Sequence, residues 1–108
     1  MTTLPGTWAL TMATPIGRIE ADATFTATDL AITGTAAGRG ETVELVNIRS
    51  ELTEGGGERV TWSQSITKPM RLNLDFEVVI SGDEMRGYSR AGRLPRSAVT
   101  GRRLPSAD

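Results

Sequence analysis

The stretch MRLNLDFEVVI, residues 70–80, sends Met70, Leu72, Leu74, Phe76, Val78 and Ile80 to one side of an extended chain. Arg71, Asn73, Asp75 and Glu77 fall on the other side. Only a strand places successive side chains on opposite faces, so this segment reads as a strand with one buried and one solvated face. The next residues, SGDE (81–84), form a tight hairpin connection, and the chain must return antiparallel to itself.

The same period of two recurs in both directions. Upstream, RVTWSQSIT aligns Val60, Trp62, Gln64 and Ile66, and EGGGE (54–58) before it is the strongest turn signal in the chain. TVELVNIR (42–49) changes phase, because Val43 and Leu45 share one face while Val46 and Ile48 take the other. One inserted residue, a β-bulge, would reconcile the two halves. LAITGTA keeps Leu30, Ile32 and Gly34 in phase, and RIEADATFTA does the same for Ile19, Ala21, Ala23 and Phe25. TWALTMAT puts Trp8, Leu10 and Met12 together before TPIG breaks the strand. Downstream, MRGYSRA and SAVTGRR supply the last two strands.

The expectation is therefore an all-β, eight-stranded antiparallel up-and-down barrel, a single domain over residues 1–108 with frayed ends at about 1–5 and 104–108. Short turns make sequence neighbours into sheet neighbours, and closure removes both exposed edges. A two-sheet sandwich is the alternative, since hydrophobic pattern does not reveal closure.

Composition narrows the chemistry. Cysteine and histidine are both absent, which removes disulfides, thiolate nucleophiles, imidazole bases and almost every zinc or haem site. No cofactor, metal or catalytic residue is assigned. A net charge of −1 gives no global attraction for nucleic acid or an anionic membrane. Six arginines and no acid lie between Met85 and Ala107, but no aromatic platform accompanies them, and nucleic acid is not an expected partner. No stretch approaches the roughly 18 apolar residues of a membrane span. The start, MTTLPGTW, lacks a charged, apolar leader, and the expected location is the cytoplasm.

If the sheet closes, the first strand meets the last, and Trp8 comes near Arg102 or Arg103. A guanidinium over the indole would cover one end of the barrel and gain about 0.5–2 kcal/mol. Gly6 would let the chain turn in tightly before the tryptophan. In Gly6, Trp8 and Arg102 or Arg103 the chain resembles the calycin superfamily, the lipocalin, fatty-acid-binding and avidin group of barrels. Those families open on Gly-x-Trp and carry a basic residue on the last strand that packs across the tryptophan.

The resemblance implies a cavity for a small, mostly apolar molecule, lined here by Met12, Phe25, Ile32, Trp62, Met70, Leu72, Leu74 and Phe76. The alternative is that these side chains simply fill the barrel. Gln64 and Ser89 are polar residues in the apolar phase and must find partners, in the protein, in water or in a ligand. Tyr88, between Arg86 and Arg90, joins the candidate lining if its strand takes the other phase, although alternation about Met85 and Gly87 favours pointing it outward. Asp75 and Glu77 are two residues apart on one strand, tempting as an acid–base pair, but they oppose an unbroken apolar face and read as solvated.

Three functions fit this pattern. The first is binding of a small apolar ligand in the barrel. The second is a cofactor-free cyclase or isomerase acting on a lipid- or polyketide-like substrate in the same cavity. The third is an oligomer-forming module, because Val46, Val79 and Ala98 stand on otherwise polar faces and would support a homodimer.

Overall fold

A computed structural model describes residues 4–14, 17–38, 40–67 and 71–105. Eight strands follow in order: β1 Gly6–Thr14, β2 Gly17–Ala27, β3 Ile32–Gly38, β4 Glu41–Leu52, β5 Glu58–Ile66, β6 Leu72–Ser81, β7 Glu84–Arg90 and β8 Ser97–Arg103. Each pairs antiparallel with the next, and β1 pairs with β8 from Trp8↔Arg103 to Ala13↔Ala98. The sheet is thus a closed up-and-down barrel and not a sandwich. Among the described residues no helix is long and apolar enough to cross a membrane.

Alternation does the folding work. The inward residues of β5 and β6, Val60, Trp62, Leu74, Phe76, Val78 and Ile80, are all buried. Each loses most of its contact with water, worth about 1.5–3 kcal/mol for a fully buried side chain of this size. Gly87 is the exception in β7, and it has to be. A Cβ there would stand 1.9 Å from the Glu77 carbonyl oxygen and 2.6 Å from the Val78 Cα. The β6 backbone comes close to β7 at this point, and glycine is the residue that permits the approach.

The phase change in β4 is a bulge. Val46 pairs with Ser63 but Arg49 with Thr61, leaving Asn47 and Ile48 opposite Trp62 alone. Asn47 takes φ 55°, a left-handed conformation that asparagine tolerates better than most residues. The extra residue turns Val43, Leu45 and Ile48 inward and leaves Val46 exposed. Pairing with β3 also stops there, at Gly34↔Leu45.

The two ends of the barrel differ. At one end, where the chain enters β1, Leu4 is wholly buried and its carbonyl accepts a 2.9 Å hydrogen bond from Trp8 Nε1. Leu104 N–H donates to the Thr7 carbonyl at 2.8 Å. At these two residues an apolar side chain fills the barrel floor, and the hydrogen bonding to β1 runs one residue past β8. The opposite end carries the β1–β2, β3–β4, β5–β6 and β7–β8 connections.

Candidate functional site

The floor is closed by one arginine. The Arg103 guanidinium carbon lies 4.3 Å from the Trp8 ring centre, Nη1 donates to the Pro5 carbonyl at 2.8 Å, and Nε meets Asp83 at 3.1 Å. Gly6 has φ 126°, and a Cβ there would sit 3.1 Å from Arg103 Nη1. Gly6 thus clears the path that the guanidinium takes. Arg102, one residue earlier, faces solvent and pairs in register with Ala9 and Glu84.

The middle of the barrel is filled by aromatic rings. Trp62 stacks on Phe76 at 4.8 Å with 8° between planes and meets the edge of Phe25 at 5.3 Å. Met12, Leu74 and Ser89 are buried with them, whereas Ile32 and Leu72 are only partly covered. Met70 lies outside the described residues. Tyr88 stands on the outer face, the phase that alternation favours and not the one that would bring it into the lining, because Met85 and Ser89 hold the inward positions of β7. There it lies beneath Arg96, whose guanidinium carbon is 4.6 Å from the ring centre.

Gln64 is the polar residue that the packing singles out. Its Oε1 accepts a 3.0 Å hydrogen bond from Trp62 Nε1. An indole nitrogen can only donate, so the amide must present its oxygen to Trp62 and turn its N–H groups away. Those N–H groups have no hydrogen-bond partner among the described residues. Gln64 lines a nook of about 30 Å³ at the end opposite Arg103, with Met12, Ala36, Gly38, Val43 and Ile66. Its volume is about that of one water. Of the titratable groups around it, Glu20 faces solvent, and Glu41 accepts hydrogen bonds from the Thr67 N–H, at 3.0 Å, and from the Thr67 hydroxyl.

A second concavity, of about 610 Å³, lies outside the barrel across β4–β7. Asn47, Arg49, Asp75, Glu77, Tyr88 and Arg90 line it. Sequence reasoning missed it, since a groove across four strands depends on register and on how the bulge bends β4. The pair Asp75 and Glu77 belongs to this face, where Ser63 Oγ donates to Asp75 at 2.6 Å and Arg59 approaches Glu77 at 3.9 Å. The apolar residues suspected of forming an outward strip are dispersed: Val46 is on β4, Val79 on β6 between Arg59 and Arg86, and Ala98 on β8 beside Tyr88. Among the described residues no group of three or more acids could hold a metal ion.

Comparison with known proteins adds no assignment: no model of a protein family matches the chain, and no curated protein matches it significantly.

Proposed function

We propose that this protein is a calycin-like binding module that receives a small, mostly apolar molecule at the barrel end opposite Arg103, with an acceptor oxygen of the ligand held by Gln64. The observation that carries this reading is the orientation of the Gln64 amide. Trp62 takes its oxygen, and its N–H groups border a nook on the inner face. Around them the wall is built of small residues, Ala21, Ala36 and Gly38.

The aromatic cluster restricts how deep a ligand reaches. With Trp62 held between Phe25 and Phe76, the ligand engages the end of the barrel and not its centre. A nook of about 30 Å³ takes a terminal group as it stands. Met12, an unbranched and adaptable side chain in its wall, gives room for more. Binding is favoured over a cyclase or isomerase because Glu41, the partly buried acid of the lining, is already engaged by Thr67.

Titration with decanoate, which joins an apolar chain to acceptor oxygens, tests the proposal through Trp62 emission. Saturable binding is expected, weakened about tenfold by Gln64→Leu, the loss of one hydrogen bond to a charged group. Ala36→Leu, which fills the nook, is expected to abolish it. Binding that ignores both substitutions, or no binding by the unaltered protein, would refute the site.

A further inference from the structure

The barrel is not paired along its whole circumference. β3 and β4 pair from Gly38↔Glu41 to Gly34↔Leu45, and below the bulge β4 continues as Arg49–Leu52 against β5 alone. Ile32 and Thr33, the first residues of β3, pair with β2 only. In an antiparallel ladder, alternate residues direct their N–H and C=O groups to opposite neighbours. Half of the backbone groups of this β4 segment therefore face the open side, where no strand among the described residues meets them. Exposed apolar side chains gather at the same end, with Leu52 73% and Leu30 96% accessible. An unpaired strand edge of this kind is a template for another strand.

The edge has the sequence Ile48-Arg49-Ser50-Glu51-Leu52, and it is complementary to itself when reversed. Placed antiparallel on a copy of itself about Ser50, it sets Arg49 opposite Glu51 and Ile48 opposite Leu52, twice each. Arg49 and Glu51 are both exposed and on one face, while Ser50 and Leu52 share the other. We infer that the partner of this edge is a second copy of the chain, joined about a two-fold axis at Ser50. The charge pattern selects this occupant. A strand of another protein would need the same reversed order, whereas a two-fold axis supplies it automatically. On the outer face Glu51 has Arg59 beside it at 3.3 Å and Arg49 faces uncharged Thr61 in register, while on the inner face the Ser50 hydroxyl donates to the carboxylate of buried Glu58. The dimer is independent of the Gln64 nook, which lies at the other end of the barrel.

Sedimentation of the full chain at tens of micromolar tests the inference and is expected to show a dimer. Arg49→Glu and Glu51→Arg, each placing like charges opposite one another at two symmetric points, are each expected to weaken association about tenfold. The combined exchange restores the complementary order and is expected to restore the dimer. It does not restore the Glu51–Arg59 pair within one chain, so recovery reports on the contact between copies. In this cysteine-free protein, Ser50→Cys places two thiols within disulfide reach across the axis, and oxidation should yield a covalent dimer. Ser81→Cys, on exposed β6 at the same end, should not. A monomer throughout, or a dimer indifferent to the charge reversals and uncrosslinked through Ser50→Cys, would overturn the inference.

Discussion

Arg103 reaches over Trp8 to the carbonyl of Pro5, so a side chain from the last strand binds both the first strand and the segment that leads into it. Here the barrel seam is closed by a side chain as well as by the ladder. Its ion pair with Asp83 is the weaker part, because that carboxylate is 80% exposed.

Arg103→Ala is expected to destabilise the protein by about 1–3 kcal/mol, from the lost cation–π contact and the unmet Pro5 carbonyl. Arg102→Ala, at an exposed position in the same strand, should stay within about 0.5 kcal/mol. Urea unfolding followed by Trp8 fluorescence distinguishes the two.

Gln64→Leu leaves the Trp62 indole N–H buried without an acceptor and should cost about 1–3 kcal/mol. Trp62→Phe carries a larger loss, because it also removes stacking area on Phe76. The double variant should be more stable than the sum of the two predicts, since replacing both polar partners leaves neither stranded. A double-mutant cycle by chemical denaturation measures that coupling.

Gly87→Ala tests the close approach of the β6 backbone to β7. The added methyl would collide with backbone, which cannot move aside as a flexible side chain does. A loss of about 3 kcal/mol or more is expected, read by thermal unfolding. Gly82→Ala in the adjoining hairpin meets no atom within 4 Å, but its φ of 65° still makes it strained, and a smaller loss of about 1 kcal/mol is expected.

Asn47→Gly should leave stability unchanged or slightly raised, and Asn47→Val should lower it by about 1–2 kcal/mol, because φ 55° disfavours a branched side chain. Comparing the midpoints of urea denaturation separates these outcomes.

The wall of the barrel was legible in the sequence because period two is a local property: Leu72 to Ile80 states its own buried face. The bulge was legible for the same reason, as a phase change between Leu45 and Ile48. Closure was suggested by Trp8 and the terminal arginines, but pattern alone did not choose between Arg102 and Arg103. That choice depends on which residue of β8 reaches past Gly6. The burial of Leu4 gave no signal, since a single leucine before a proline has no period. The mating of Trp62 with Gln64 was hidden as well, although both stood on the same predicted face. Residues two apart on a strand meet only when packing turns one toward the other. The outer groove and the unpaired edge depend on where β3 stops, which is decided by register and not by composition.

Asn47 is a residue of β4 that the ladder does not count. Leu45 and Ile48 stand three positions apart, yet both face inward, because Asn47 sits outside the alternation. Deleting it would join Val46 to Ile48 in ordinary succession and leave Arg49 and Glu51 on the outer face, with only the local kink removed. Losing a single residue from the regular part of the strand would instead send the side chains beyond it to the wrong face. Descendants of this chain can therefore shed one residue here without penalty to the pattern, whereas elsewhere in β4 length must change in pairs.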